Sequence, residues 1–233
     1  MSTVTRYESM GEQVVLVTGA TRGIGKQIAA QLTEFGATVY AGARDTVDIT
    51  ADNQHPVELD VADDETIKQA IDQIATEAGR LDVLVNNAGV AGPRAPLHEN
   101  ETADIDTTLD VNLRGPAVLT KFALPFLLER SGGRVVNVSS GMGALGEGMS
   151  GTYPPYRISK AGLNGLTVYL HGEYAEDGLI ANAACPGWVR TDLGSSEAPK
   201  SPAEGADTPV WLATFRPGST AGRFWRNREL IDW

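Results

Sequence analysis

Length, composition and charge narrow the class of protein before any motif is considered. The 233 residues can bury the core of a single α/β domain, and 42% apolar with 21% charged residues is typical of globular chains rather than disordered ones. A formal net charge of −11 without a basic stripe argues against a nucleic-acid partner. One cysteine excludes an intrachain disulfide, and the polar start and short apolar runs predict a cytoplasmic protein with no membrane partner.

The first segments of the chain predict a strand, a glycine-rich loop and a helix. Residues 14–17 form a short β-branched run that ends in Thr18-Gly19. Apolar residues then recur at helical spacing from Ile24 to Phe35, where Gly36 ends the pattern. Residues 1–12, which precede this unit, are predicted to form a flexible N-terminal extension.

The rest of the chain repeats this alternation of apolar strands and longer helices. Further strands are predicted at residues 38–42, 57–59, 81–86, 134–139, 179–185 and 222–225, the last of them at the sheet edge. Helices are predicted at residues 103–130, bent at Pro116 or Pro125 or both, at residues 155–177 and at residues 206–214. Residues 45–55 are expected to form a loop or a single turn. The pattern predicts one α/β domain, a Rossmann-type doubly wound parallel sheet of about seven strands with helices on both faces.

The glycine-rich loop is a candidate nucleotide site. Its residues 18–25 read Thr-Gly-Ala-Thr-Arg-Gly-Ile-Gly, between the first strand and the first helix. Backbone amides at a helix N-terminus can hold a pyrophosphate, and glycines allow the backbone to approach it closely. A tight turn would explain one glycine but not three.

The end of the second strand favours NADP over NAD. An acidic side chain at this place would bind a ribose 2′-hydroxyl, whereas an arginine would pair with a 2′-phosphate. The residues here are Ala43 and Arg44, and Arg22 supplies a second cation. Two alternatives stay open at this point: Arg44 is a solvated surface residue, or Asp45 partly neutralises it.

Tyr156, Lys160 and two serines are candidate catalytic residues. Tyr156 and Lys160 lie four apart on a predicted helix, so they share one face, and an ammonium beside a phenol is expected to lower the phenol pKa from about 10 toward neutrality. Ser139 and Ser140 end a predicted strand at the carboxyl edge of the sheet, where open parallel sheets bind ligands. Strand alternation sends the two side chains in opposite directions, and the sequence leaves open which one faces the cleft.

These motifs, with Asn86-Asn87-Ala88-Gly89 and Pro186-Gly187, stand in the order of the classical short-chain dehydrogenase/reductase family, which the chain resembles over essentially its whole length. The resemblance implies a catalytic tetrad of Asn112, Ser140, Tyr156 and Lys160. The serine would orient the substrate carbonyl, the tyrosine would transfer the proton, the lysine would hold the ribose, and the asparagine would support a water-linked proton path.

The same resemblance implies a set of cofactor-binding residues. Asp60 would bind the adenine amino group, residues 86–89 would lie against the adenine-side ribose, and Val189 and Thr191 would hold the nicotinamide carboxamide. The implied cofactor-binding residues are Gly19, Thr21, Arg22, Gly23, Ile24, Gly25, Arg44, Asp60, Val61, Asn86, Ala88, Gly89, Tyr156, Lys160, Pro186, Gly187, Val189 and Thr191.

The C-terminal third is similar to carbonyl reductases within that family, from residues 185–192 to the aromatic ending at Trp233. This similarity implies reduction of ketones, aldehydes or quinones with NADPH, at a cleft where Ser140 and Trp188 bind substrate. A buried packing role is the alternative for Trp188. Residues 194–207 would form a short substrate lid and leave the cleft open.

One departure from carbonyl reductases bears on assembly. Only residues 141–155 separate Ser140 from Tyr156, whereas carbonyl reductases carry a long insertion there that covers a helix face. Its absence makes a homodimer or homotetramer plausible.

Two other functions stay open. A dehydrogenase specific for one secondary alcohol would use the same residues, and a non-catalytic NADP-binding sensor or scaffold would keep the fold alone. The three histidines are scattered without metal-ligand spacing, so no metal site is predicted.

Overall fold

The computed structural model describes residues 3–49 and 51–233 and has an eight-stranded sheet at its centre. The strands are β1 (Val14–Thr18), β2 (Thr38–Ala43), β3 (Gln54–Glu58), β4 (Val83–Asn86), β5 (Arg134–Val138), β6 (Ile180–Cys185), β7 (Arg223–Arg226) and β8 (Glu229–Ile231). Their order is β3-β2-β1-β4-β5-β6-β7-β8, and every neighbouring pair is parallel except β7 and β8. The predicted doubly wound α/β fold is therefore confirmed. The edge strand is β8 rather than the predicted strand at residues 222–225, because the chain turns back after β7 and pairs antiparallel.

Residues 3–49 and 51–233 contain six α-helices, of which five cover the two faces of the sheet. They are α1 (Gly23–Glu34), α2 (Asp64–Ala78), α3 (Thr102–Leu109), α4 (Gly115–Leu127), α5 (Pro154–Tyr174) and α6 (Pro202–Ala213). The sequence prediction did not single out α2. Its signals are a cap at Asp63, whose carboxylate accepts from the Glu65 amide, and buried Ile67, Ile71 and Ile74 at helical spacing.

Strand alternation divides the core into two halves. On one face α1 and α6 cover the sheet, and on the other α2, α4 and α5 do. The first half includes Val15, Val17, Ile28, Leu32 and Trp211. The second half includes Leu16, Ile74, Leu119 and Leu170. Each such buried aliphatic side chain contributes about 1.5–3 kcal/mol through removal of apolar surface from water, which fixes the sheet as a rigid platform.

The predicted long helix at residues 103–130 is interrupted. A π-helical turn at Asp110–Arg114 separates α3 from α4. Pro116 lies in the first turn of α4, where a missing N–H costs little, and Pro125 lies near the end of α4. The irregularity is thus the π turn, which contains Asn112, and such turns are frequent at functional sites.

Residues 3–12 are docked on the domain, which differs from the prediction of a flexible extension. The amide of Tyr7 donates to the Thr214 carbonyl over 2.8 Å, and the amide of Arg216 donates to the Thr5 carbonyl over 2.9 Å. Met10 is fully buried in the core. Residues 1 and 2 of the predicted extension, and Thr50 of the predicted loop at residues 45–55, lie outside the described residues.

The predicted irregular segment at residues 194–207 is shorter than expected because α6 begins at Pro202 instead of residue 206. Ser201 and Glu204 form a capping box, in which each side chain accepts a hydrogen bond from the other residue's amide. Across residues 3–49 and 51–233, no helix combines the length and the apolar character that a membrane crossing requires.

Candidate active site

The topology places a crevice between the carboxyl ends of β1 and β4. From β1 the strands continue outward to β2 on one side, and β4 begins the other half of the sheet. Ligands of open α/β sheets bind at such a reversal of strand order. The glycine-rich loop follows β1, and residues 87–89 follow β4, so both motifs line this crevice.

The glycine-rich loop has the shape of a phosphate cradle. Gly19 and Gly23 adopt positive φ angles of +67° and +54°, which glycine accommodates without strain. A Cβ on Gly25 would lie 2.2 Å from the Gly19 carbonyl oxygen. No side chain in the described part of the chain caps the first-turn amides of α1, which leaves these donors available to an anion.

Thr18 and Asn87 hold the two loops together; both lie in the predicted motifs, but neither was among the individually predicted cofactor-binding residues. The Thr18 hydroxyl accepts from the amides of Asn87 and Ala88, both over 2.9 Å. The Asn87 side chain donates to the Thr18 carbonyl over 2.8 Å. The signal was present, because both residues belong to the quoted motifs.

The two predicted arginines lie beside the glycine-rich loop, Arg22 just before α1 and Arg44 just after β2. Arg44 is exposed just beyond β2, and among the described residues no carboxylate lies within 4 Å of it. Asp45 instead accepts a hydrogen bond from the Val47 amide over 3.0 Å. Arg22 pairs with Asp192 at 3.3 Å, but both side chains are about three-quarters exposed, so the pair contributes little and Arg22 can exchange partners.

Three further predicted cofactor-binding residues differ in burial and in hydrogen bonding: Asp60, Val61 and Asn86. Asp60 is half-buried, and one carboxylate oxygen accepts from the Ala62 amide over 3.0 Å. Val61 is buried against the α4 terminus, where a Cβ on Gly115 would lie 2.3 Å from its carbonyl oxygen. The Asn86 side chain is buried and donates to Asn137 over 2.8 Å, so it is turned into the protein and not toward the crevice.

Ser140 is the serine on the cleft side. Ser139 is buried, and its hydroxyl donates to the Lys160 carbonyl over 3.3 Å. Ser140 is half-buried just past the end of β5, and its Oγ accepts from the Met142 amide over 3.1 Å. The Ser140 hydroxyl also lies near enough to the Tyr156 phenol to lower the pKa of that phenol in part. The structure thus brings Ser140 and Tyr156 together and turns Ser139 toward α5.

The electrostatics of Tyr156 and Lys160 differ from the sequence expectation. Burial raises the pKa of Tyr156 to about 12, and the nearby Ser140 hydroxyl opposes this rise only in part. Burial also lowers the pKa of Lys160 to about 8. Lys160 donates from Nζ to the Val138 carbonyl over 2.8 Å and lies 5.6 Å from the centroid of the Tyr156 ring. The predicted lowering of the tyrosine pKa is therefore wrong for this arrangement, because desolvation dominates and the ammonium of Lys160 is directed at the Val138 carbonyl.

Asn112 connects the loop after β4 to α5. It is fully buried; its Nδ2 donates to the Val90 carbonyl over 2.8 Å and to the Ser159 hydroxyl over 3.0 Å, and its Oδ1 accepts from the Val90 amide over 2.8 Å. Gly89 lies between the catalytic candidates, since a Cβ there would be 3.2 Å from Asn112 Oδ1 and 3.6 Å from Lys160 Nζ. A side chain at position 89 would crowd both.

The segment after β6 closes the remaining side of the crevice. Gly187 has a φ angle of +84°, and Val189 is buried and forms a parallel bridge with Lys200. The methyl group of Thr191 would lie 3.2 Å from a Cβ on Gly23, which brings this segment to the glycine-rich loop. Trp188 is 54% exposed, so the buried packing role is excluded and its ring is accessible to a ligand.

Comparisons with known proteins agree with this geometry. The family model described as short chain dehydrogenase matches residues 13–202. A cis-4-hydroxycyclohexanecarboxylate dehydrogenase of Sinomonas cyclohexanicum is 39% identical over 194 residues, 80% of this chain and 77% of the relative. The 3-oxoacyl-[acyl-carrier-protein] reductase FabG of Staphylococcus aureus is 35% identical over 188 residues, 76% of this chain and 75% of the relative.

A solved structure extends the likeness to the whole chain. The NADPH-bound carbonyl reductase from chicken fatty liver superposes with a TM-score of 0.86 at 26% identity, over 98% of this chain and 100% of that one. This structural likeness, the sequence motifs, the strand order and the family model all indicate the same family. The chain belongs to the short-chain dehydrogenase family of oxidoreductases.

Proposed function

We propose that this enzyme reduces ketones, aldehydes or quinones with NADPH and uses Tyr156 as the proton donor. The observation that carries the proposal is the joint placement of Ser140, just past β5, and of buried Tyr156 with Lys160 on α5, at the carboxyl end of the sheet where the glycine-rich loop also lies. A carbonyl oxygen between the Ser140 and Tyr156 hydroxyls would accept a hydrogen bond from each. Such positioned proton donors accelerate carbonyl reduction by about 10²–10⁴-fold.

The residues present fit a nicotinamide dinucleotide. Gly25 allows the glycine-rich loop to fold closely on itself and on Asn87, since a Cβ there would lie 2.2 Å from the Gly19 carbonyl oxygen. A tight loop of this kind at a helix N-terminus is what a bound pyrophosphate requires. Arg22 and Arg44 would pair with a 2′-phosphate, which favours NADP. Val189 and Thr191 would hold the carboxamide, and Lys160 would hold the ribose. When bound, the cofactor supplies the hydride that the reduction requires.

The protonation state of Tyr156 suits it to donate a proton to a substrate carbonyl. A phenol with a pKa of about 12 is protonated at neutral pH and can act as an acid, whereas alcohol oxidation requires the phenolate as a base. Ser140 would orient the substrate oxygen toward this phenol. Asn112, whose polar atoms contact Val90 and Ser159, would hold α5 and the loop after β4 in register.

The substrate side of the cleft is apolar and open. Three exposed apolar side chains lie in the segments next to the cleft, each about half or more exposed. Leu145 follows Ser140 in the chain, and the segment after β6 contains Trp188 and Leu193. Residues 194–201 would act as a short lid, and Arg190 holds them by donating to the carbonyls of Ala198 and Pro199, each over 2.8 Å. This arrangement favours varied carbonyl compounds with apolar substituents.

A second candidate is a dehydrogenase for one cyclic secondary alcohol. The 39% identity to a cis-4-hydroxycyclohexanecarboxylate dehydrogenase favours it, and the same residues would act in the opposite direction.

A homodimer or homotetramer also remains part of the proposal, because Ile158, Val168 and Tyr169 are exposed on α5, the helix that the missing insertion would cover. A non-catalytic sensor would bind NADPH without turnover, and a cytoplasmic location stays a prediction.

The test is a steady-state assay of NADPH and NADH oxidation with aldehydes, α-dicarbonyls and quinones, beside NADP reduction with cyclic secondary alcohols. Tyr156→Phe is the matched control, because it keeps the ring and removes the proton. Turnover with NADPH that falls by 10² or more in the variant, an effect of about the size expected for a general acid, supports the reductase. NADP reduction by a cyclic alcohol alone would favour the dehydrogenase, and NADPH binding without any turnover would contradict both enzymes.

A further inference from the structure

The loop that follows Ser140 is tied to the C-terminal hairpin of the sheet. This hairpin consists of β7 and β8, which pair antiparallel beyond β6. The loop, residues 141–147, begins directly after Ser140, and its buried Ala144 belongs to an apolar cluster that β6 and β7 supply. The Gly146 amide donates to the Trp233 carbonyl over 2.6 Å. The end of the chain therefore contacts the loop that carries the proposed substrate-orienting serine.

Arg226, the last residue of β7, makes a charged contact between the hairpin and this loop. Its Nη1 lies 3.0 Å from one carboxylate oxygen of Glu147, and its Nη2 donates to the other over 3.0 Å. The two side chains are 30% and 42% exposed, so the pair is partly shielded from water. Two parallel bonds between a guanidinium and a carboxylate fix direction as well as distance, which a single exposed ion pair does not.

The inner side of the same guanidinium contacts the base of the loop. Arg226 Nε donates to Cys185 Sγ over 3.4 Å, and the Gly141 amide donates to the same sulfur over 3.2 Å. A Cβ on Gly141 would lie 2.3 Å from Arg226 Nη2, so the guanidinium covers the residue directly after Ser140. Cys185 lies near enough to Tyr156 to add to the rise that burial causes in the pKa of this phenol. Arg226 therefore reaches both proposed catalytic hydroxyls through one intervening residue.

The helix α5 holds the opposite side of the loop. A Cβ on Gly143 would lie 2.6 Å from the Ala161 amide nitrogen, so the loop backbone packs directly on α5. The Gly143 carbonyl accepts from Asn164 Nδ2 over 3.2 Å. Within the loop, the Met142 amide donates to Ser140 Oγ over 3.1 Å. The orientation of this hydroxyl thus depends on a loop that is held between α5 and the hairpin.

We propose that Arg226 is a positioning residue that holds Ser140 in the orientation in which it binds the substrate oxygen. Arg226 acts through Glu147 and through the loop backbone, without contact to the substrate. The inference rests on the proposed reductase function, which gives Ser140 its role. Arg228 of the same hairpin provides a matched comparison, because its guanidinium pairs with Asp207 of α6 through Nε, over 2.8 Å, and through Nη2. That pair anchors the hairpin to α6 rather than to the loop after Ser140.

Steady-state kinetics with NADPH and the best carbonyl substrate compare the wild type with Arg226→Gln, Glu147→Gln and Arg228→Gln. We expect kcat to fall by about tenfold in Arg226→Gln, since displacement of an orienting group by 1 Å can cost about 100-fold. Glu147→Gln should lower kcat by up to about fivefold, as for a partly exposed pair. Arg228→Gln should keep kcat. Arg226→Lys, which keeps the charge, should recover part of the loss, and fluorescence titration should show the same NADPH affinity in every variant.

Hydrogen exchange measured by mass spectrometry provides a readout that needs no substrate. Arg226→Gln should raise exchange in residues 141–147, and Arg228→Gln should not. If the wild type shows no turnover while exchange follows this pattern, the reductase function fails and the contact between hairpin and loop stands. Equal losses of kcat in Arg226→Gln and Arg228→Gln, or unchanged exchange in residues 141–147, would overturn the proposal. If Arg226→Gln does not fold, Glu147→Gln, which leaves β7 unchanged, decides by the same two readouts.

Discussion

Lys160 lies with its Nζ 5.6 Å from the centroid of the Tyr156 ring and donates its hydrogen bond to the Val138 carbonyl rather than to the phenol. The two residues share one face of α5, and burial acts on both. It favours the neutral form of each, so the tyrosine pKa rises to about 12 and the lysine pKa falls to about 8. The phenol of Tyr156 is therefore protonated at neutral pH, and Lys160 beside it loses its proton more readily than an exposed lysine does.

Replacing Lys160 should stabilise the fold while it abolishes activity. The folded-state pKa of Lys160 is about 8 against an ordinary 10.5, so the unfolded chain binds more protons between these values, and the free energy of unfolding should rise with pH across that window. Below pH 8 the wild type carries the full penalty. Lys160→Met should therefore be more stable at pH 7 by on the order of 1–3 kcal/mol, with the advantage gone near pH 10.5.

Urea unfolding of both proteins at pH 7, 9 and 10.5 measures this difference. Lys160→Arg keeps the charge and serves as the control, which should lack the gain at pH 7. A Lys160→Met protein that is less stable than the wild type at pH 7 would show that the hydrogen bond to Val138 outweighs the cost of the buried charge.

Gly25→Ala should remove cofactor binding. The new Cβ would lie 2.2 Å from the Gly19 carbonyl oxygen and 2.4 Å from the Asn87 side-chain nitrogen, so the glycine-rich loop must move away from the loop after β4. Fluorescence titration with NADPH measures the loss. Gly172→Ala is the matched control, because it lies on α5 with nothing within 4 Å of its Cβ, and it should stabilise the protein by about 0.5–1 kcal/mol with unchanged NADPH affinity. NADPH binding by Gly25→Ala at wild-type affinity would contradict the cradle.

Arg44→Gln should narrow the preference for NADPH over NADH. Arg44 has no carboxylate within 4 Å in the described part of the chain, so its charge is available to a 2′-phosphate. Loss of one charge-assisted contact, about 1.5–3 kcal/mol, should lower kcat/KM for NADPH by roughly 10–100-fold and leave that for NADH nearly unchanged. Steady-state kinetics with both cofactors test this, and an equal fall for both would show that Arg44 does not read the 2′-phosphate.

Asn112→Ala should destabilise the protein and lower activity together. The substitution leaves the half-buried amide and carbonyl of Val90 without these partners and removes the buried contact to Ser159. Unsatisfied buried groups cost about 1–3 kcal/mol each, so we expect a loss of about 2–4 kcal/mol in denaturant unfolding. Ser159→Ala removes one of these contacts and should cost less. If Asn112→Ala keeps the wild-type stability, the π turn does not depend on these bonds.

Local patterns in the sequence determined the fold class and most of the site. A β-branched run followed by glycines and an amphipathic helix encodes one strand-loop-helix unit, because periodicity and glycine content act within a few residues. The four-residue spacing of Tyr156 and Lys160 likewise places them on one helix face whatever surrounds the helix. The same logic explains the misplaced end of the sheet, since nothing local to residues 222–225 reveals that β8 pairs with β7 beyond them.

Only the tertiary structure decided the properties that depend on distant segments. It turned Ser140 rather than Ser139 toward Tyr156, docked residues 3–12 on the domain and placed the Asn86 side chain in a buried network. It also reversed the expected pKa shift of Tyr156. Each of these outcomes depends on how deeply a group is buried. Burial is set by segments that are far apart in the sequence and meet only in the folded chain. A pKa or a side-chain direction therefore cannot be predicted from the neighbouring residues in the sequence alone.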